Sequence, residues 1–124
     1  MTEKEVMQKC VGIFENLGWE VRTEEFFELG RGGRYNPFVC DIVLRHNGEI
    51  YGAVEVINQK NLKEDARRIT AALEYVITHI KPKIFVITNG FAFDIYHYGK
   101  FYATLSAPPS PEIVDIVLGG ENNE

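Results

Sequence analysis

Apolar residues at every third or fourth position predict a helix over residues 3–17. Thr2 and Glu5 have the spacing of a capping box at its start, and Gly18 is placed to end it. A second, longer helix is predicted from a cap at Asn61 to about Ile80, because its apolar positions are spaced by four and three. The apolar positions of the first helix are Val6, Cys10, Phe14 and Leu17.

Strand-like apolar runs fill most of the remaining chain. The turn Asn47-Gly48 joins two of them, and Gly99 turns a hairpin rich in aromatic residues near the C-terminal end. The run "KIFVITNG" is continuously apolar, which is typical of a strand buried on both faces of a mixed or parallel sheet. The predicted strands are "WEVRTEEFFEL", about 38–46, about 50–57, "KIFVITNG" and the hairpin "FAFDIYHYGKFYATL".

The order helix, three strands, helix, strand and hairpin predicts an α/β domain with a mixed central β-sheet flanked by helices and a C-terminal β-hairpin. We expect one domain over residues 1–108. A C-terminal extension and tail over 109–124 would follow, with a short helix at 111–118. The aromatic hairpin could stack on bases, but packing against a helix or a dimer contact is the commoner use of such a face.

The segment "GRGGRYNP" interrupts these patterns with three glycines, two arginines and a proline. Glycine's backbone freedom and proline's missing donor disfavour a regular element, so the segment is predicted to be a mobile loop. Arg31 and Arg34 are candidate DNA contacts, since a flexible basic loop can close over a phosphate backbone. A simply solvated loop is the alternative.

Composition limits the range of functions. The net charge of −5 argues mildly against nucleic acid, although carboxylates of a metal site lower the same total. No apolar stretch is long enough to span a membrane, and the charged start "MTEKEV" is unlike a signal peptide. Cys10 and Cys40 match no metal or redox spacing, so we expect buried thiols and a cytoplasmic protein.

Asp41 and Glu55 are the candidate chemical groups, because acidic residues are depleted in half-buried strands. Hairpin parity decides whether they share a sheet face. A strict two-residue turn at Asn47-Gly48 would put them on opposite faces, whereas a three-residue loop or a bulge would bring them together. If the two acids instead lie on ordinary solvated faces, neither a three-residue loop nor a bulge is required. A divalent cation would satisfy both acids in apolar surroundings.

Four stretches between about Tyr35 and Tyr102 resemble the PD-(D/E)xK nuclease superfamily, and in particular the N-terminal nuclease domain of the translocating R subunit of type I restriction enzymes. The resemblance implies a restriction-endonuclease-like fold. The stretches are "PFVCDIVLRHNGEI", "GAVEVINQKN", "DARRITAALEYV" and "IFVITNGFAFDIYHY".

That resemblance also implies a site. Asp41 and Glu55, with the carbonyl of Val56 as a third ligand, would hold Mg²⁺, with Mn²⁺ as a substitute. Two departures stand out: Ile57 replaces the family's lysine, and Ala71 stands where restriction-type members have a glutamine. Lys60, or Lys63 in the first helical turn, could replace the missing cation, although both could equally be solvated.

Arg67 and Arg68 offer further basic side chains on the predicted helix. Arg68 and Lys63 are candidate DNA contacts, but the two arginines could instead pair with Glu64 on the same helix.

The leading hypothesis is thus a metal-dependent DNA endonuclease domain related to type I restriction R subunits, hydrolysing phosphodiester bonds with Asp41, Glu55 and Lys60 as catalytic groups. The alternative is a catalytically degenerate nuclease-fold module that binds nucleic acid or protein, which Ile57 favours. DNA is the expected partner. Other restriction-system subunits, a helicase and a homodimer are left open, and no membrane partner is expected.

Overall fold

The computed structural model describes residues 2–27, 30–31, 34–35, 38–58 and 80–118. The first helix, α1, spans Glu3–Asn16 and begins with the predicted capping box between Thr2 and Glu5. A second helix, α2, spans Pro111–Val117, with Ser110 as its cap. None of the helices in these ranges has the length and apolar character needed to cross a membrane.

Six strands form one mixed sheet in the order β1-β4-β5-β6-β7-β8, and two very short strands form a separate ribbon. Within the sheet, β5 and β6 are parallel and the other neighbours are antiparallel. The predicted mixed sheet is therefore confirmed. The strands are β1 Glu20–Phe27, β2 Gly30–Arg31, β3 Arg34–Tyr35, β4 Phe38–His46, β5 Glu49–Val56, β6 Ile84–Thr88, β7 Phe93–His97 and β8 Lys100–Leu105.

Hydrophobic side chains cover both faces of this sheet. The larger cluster packs against α1 and also takes in Val114 and Leu118, so α2 packs onto the same face. The smaller cluster on the opposite face contains Cys40, Val43, Ala53, Ile57, Phe85 and Ile87. Double-sided burial explains why β6 reads as a continuous apolar run.

The segment predicted to be an irregular loop contains regular pairing. Gly30 pairs with Tyr35, and Arg31 pairs with Arg34, as a two-stranded antiparallel ribbon. Gly30 itself takes part in this pairing, so glycine did not prevent a regular element there. The predicted helix from Asn61 to Ile80 falls almost entirely outside the described residues, and the predicted domain boundary after residue 108 stays a prediction.

Candidate metal and nuclease site

The β4–β5 hairpin combines a two-residue turn with a bulge. Asn47 and Gly48 form a two-residue turn with positive φ values of 53° and 80°, and His46 pairs with Glu49. The register then shifts by one residue, so that Leu44 pairs with Gly52 and Ile42 with Val54. The ladder ends at the pair Ile42–Val54, one position before Asp41 and Glu55. A bulge was one of the two arrangements that the metal-site hypothesis required.

Asp41 lies where the ladder between these strands ends. Its Oδ2 accepts a hydrogen bond from the backbone N–H of Val56 at 2.8 Å. Since strand N–H groups point along the sheet, the carboxylate lies between the ends of β4 and β5, beside the residue that follows Glu55. The structure therefore brings together the Asp41 carboxylate and the strand segment that carries Glu55.

Glu55 is buried, with only 7% of its surface exposed. By strand alternation it lies on the side of β5 that carries Ala53 and Ile57, both members of the smaller apolar cluster. A buried carboxylate needs hydrogen bonds or a cation to offset its lost hydration. The metal-ligand role of Glu55 stays a prediction.

Cys40, the residue before Asp41, was not proposed as part of this site. Burial, together with the charges of Glu55 and Asp41, raises the pKa of its thiol to about 12. Its Sγ donates to the Ile42 carbonyl oxygen at 3.2 Å, so it is neutral and engaged locally. Both cysteines are free and buried, as predicted.

A depression of about 510 Å³ opens between α1 and the strand segment that carries Asp41, and Glu55, on the side of the smaller apolar cluster, is not among the residues that line it. Three carboxylates and one lysine contribute to its lining, so its mouth is predominantly acidic. Such a mouth favours a cation and disfavours an unaccompanied phosphate. The lining residues are Glu3, Lys4, Met7, Glu24, Val39 and Asp41.

Ile57, which the resemblance aligns with a lysine, is 1% exposed. It contacts the smaller apolar cluster, and its backbone N–H donates to the Thr88 carbonyl at 2.9 Å. The structure therefore surrounds this position with apolar atoms rather than with water.

Several other predicted site residues are described only by their backbone pairing or lie outside the described residues. Lys60, Lys63 and Arg68 lie outside the described residues. Arg31 and Arg34 are backbone partners in the β2–β3 ribbon. Within the described ranges, no group of three or more His, Cys, Asp or Glu side chains is arranged to hold a metal ion. The candidate ligand set thus consists of two carboxylates and a backbone carbonyl.

Asp94 is an acid that the sequence analysis missed. It is 3% exposed and accepts a hydrogen bond from the Thr104 hydroxyl at 2.6 Å. Strand pairing aligns Glu55, Ile87, Asp94 and Thr104 in one row across the sheet. An acidic residue within the alternating run "FAFDIYHY" was the available signal.

Comparisons with known proteins give structural matches only. No family model matches the chain, and no curated protein matches its sequence. A fragment assigned to the HsdR subunit of a type I restriction enzyme from Vibrio vulnificus YJ016 superimposes with a TM-score of 0.73 at 17% identity. The match covers 98% of this chain and 26% of that one, so this chain spans about a quarter of the fragment's length.

A second match is much weaker. The cryo-EM structure of a DrdV-DNA complex gives a TM-score of 0.48 at 11% identity, covering 83% of this chain and 12% of that one. Overlap of that quality does not bear on the fold. The first match, together with the mixed six-stranded sheet and flanking helices, shows a restriction-endonuclease-like α/β fold.

Proposed function

We propose that this chain is a metal-dependent DNA endonuclease domain, related in function to the nuclease part of type I restriction R subunits. One observation carries the proposal: the Asp41 carboxylate lies at hydrogen-bond distance from the amide that follows Glu55. In a restriction-endonuclease-like fold, such a contact would bring Asp41 and Glu55 together at the open end of adjacent strands. DNA is the proposed substrate, and the proposed location is cytoplasmic.

The donor set fits Mg²⁺ or Mn²⁺, because both ions prefer carboxylate and carbonyl oxygens. Asp41 and Glu55 would hold the ion. The N–H and C=O of one strand residue point to the same edge, so the Val56 carbonyl is directed toward the β4 side, where its N–H meets Asp41. When bound, the ion would acidify a water and neutralise charge on the scissile phosphate.

The chain's own residues have supporting roles. The Val56 amide fixes one oxygen of Asp41 and thereby orients the carboxylate. The apolar cluster around Glu55 keeps water away from that acid and strengthens its attraction for a cation. Lys60, three residues beyond Ile57, is the proposed cation near the phosphate, with Lys63 as the alternative.

A binding module with a degenerate site is the second candidate, and Ile57 favours it. Burial of this residue leaves the usual lysine position without a cation and without a path to water. Other subunits of a restriction system, or a helicase, would then be the proposed partners, and DNA would be bound without being cut.

A plasmid-nicking assay with Mg²⁺ or Mn²⁺, paired with an Mn²⁺-binding titration, separates these candidates. We expect cleavage and binding by the wild type, loss of both in Glu55→Gln, and cleavage reduced by about 10²-fold or more in Lys60→Ala. Lys100→Ala, on an exposed part of β8, is the matched control and should behave like the wild type. Absence of both cleavage and Mn²⁺ binding in the wild type would favour the binding module.

A further inference from the structure

β1 and β8 are the two edge strands of the six-stranded sheet, and they differ in how they are protected against pairing with another chain. Four of the eight residues of β1 are charged, and its ladder with β4 skips a pair at Glu24, where φ is 51°. Charges and irregularities are the usual protection of an exposed strand edge. In β8, Lys100 is the single charge among six residues. β8 is therefore the less protected edge.

The outer edge of β8 also carries large apolar side chains. Tyr102 is 53% exposed and Leu105 is 37% exposed. Tyr102 is the extra residue of a bulge opposite β7, so the regular run of β8 beyond it comprises residues 103–105. Apolar residues on a strand edge that no strand of the described residues covers mark a place where a further strand adds.

A cleft of about 130 Å³ lies between this edge and α2. Tyr102 and Leu105 line it on the β8 side, and the half-exposed Ile113 and Val117 line it on the α2 side, whereas Ile116 lies outside it. An apolar cavity of about 150 Å³ takes up a benzene molecule, so this cleft has room for one leucine-sized side chain.

The strand with the exposed edge also carries a side chain of that size. When β8 pairs antiparallel with its own copy about Thr104, Leu105 of one copy faces Ala103 of the other. Ala103 and Leu105 pair with Ile95 and Phe93, so both lie on the sheet face that α2 covers. Leu105 of each copy then lies beside the cleft of the other, next to a small residue that leaves it room. A surface that supplies both the side chain and the cleft is self-complementary, as twofold symmetry requires.

We propose that β8 pairs antiparallel with β8 of a second copy of this chain, with a twofold axis at Thr104, and joins two six-stranded sheets into one. The interface comprises β8 and the cleft wall of α2, which is fewer residues than the roughly 20–30 a side of a standard interface. The dimer is therefore weak, with a dissociation constant in the micromolar range. It needs neither DNA nor a metal ion, so it does not depend on the proposed nuclease activity.

Sedimentation equilibrium of the full chain, over a series of micromolar concentrations, tests the dimer. We expect a monomer–dimer equilibrium for the wild type. Leu105→Lys places a charge at the cleft and should raise the dissociation constant by about tenfold or more, as the loss of a central contact does. Ile116→Lys is the matched control, because Ile116 is 78% exposed and lies outside the cleft, and it should leave the dissociation constant unchanged.

Oxidative cross-linking tests the position of the axis. Facing residues of an antiparallel pair have Cα atoms about 4.5–5.5 Å apart, which a disulfide can span. Oxidation should therefore link two copies of the Thr104→Cys variant. Thr23→Cys, at an exposed position of the protected edge β1, is the control and should stay unlinked. The native Cys10 and Cys40 are buried, so they do not compete.

Three results would overturn the pairing. A wild type that stays monomeric throughout the series would exclude a second copy and favour a strand of another protein at this edge. Equal cross-linking of Thr104→Cys and Thr23→Cys would remove the axis from β8. Equal weakening by Leu105→Lys and Ile116→Lys would place the contact outside the cleft.

Discussion

Asp41 serves the fold as well as the candidate site. In a continuing antiparallel ladder, the Val56 N–H would meet a backbone carbonyl, but here it meets the Asp41 carboxylate. The sequence could single out Asp41, because an acid within an apolar strand is unusual. It could not show the hydrogen bond between the Val56 N–H and Asp41, which depends on where the pairing of β4 with β5 ends.

Substitutions at Asp41 should separate these two roles. Asp41→Ala leaves the Val56 N–H without its acceptor and should lower the free energy of unfolding by about 1–3 kcal/mol. Asp41→Asn keeps an acceptor oxygen and should lower it by less. Both lose the negative charge, so Mn²⁺ binding should weaken in both. Urea denaturation and Mn²⁺ titration measure the two effects, and an alanine variant as stable as the wild type would contradict the structural role.

Ile57 stands where the resemblance implies a lysine, and the structure buries it in the smaller apolar cluster. Ile57→Lys should lower the free energy of unfolding by several kcal/mol, about 3–5, because the ammonium enters an apolar cluster. Ile57→Met conserves volume and should cost less than about 1.5 kcal/mol. Thermal denaturation compares the two variants. A lysine variant that keeps wild-type stability and gains cleavage would show that this position does reach water.

At the scale of elements, local sequence patterns predicted the turns and helix caps but did not locate the β-bulge between β4 and β5. The β4–β5 bulge leaves Tyr51 as the extra residue, and its ring contacts Trp19 and His46 at centroid distances of 5.8 and 5.6 Å. Trp19 in turn donates to the Pro109 carbonyl at 2.9 Å. These contacts join distant parts of the chain, so no short-range pattern could reveal them.

Gly52, next to the bulge, marks a close approach between strands. A Cβ added there would lie 2.9 Å from Ile84 Cγ1 and 3.2 Å from Leu44 Cδ1. Gly52→Ala should therefore lower the free energy of unfolding by about 1–3 kcal/mol. Gly12→Ala is the matched control, since its Cβ meets nothing within 4 Å on α1, and it should raise stability by up to about 1 kcal/mol. Equal effects in urea denaturation would contradict the close packing.

For the whole molecule, the order of elements predicted the fold class correctly, because apolar periodicity separates helices from buried strands. The order did not reveal that α1 and α2 lie on the same face of the sheet. That arrangement depends on how distant segments meet, and a single sequence does not encode it locally.

The parallel pairing of β5 with β6 also constrains how the chain folds. The β1–β4–β5 meander and the β6–β7–β8 meander each close through antiparallel neighbours near in sequence. Joining them pairs two strands that are far apart in sequence, at Val56 and Ile84, and closing so long a loop carries a larger entropic cost. We therefore expect the pairing of β5 with β6 to be the rate-limiting step of folding. The two meanders are the fragments that we expect to reassemble in a complementation experiment.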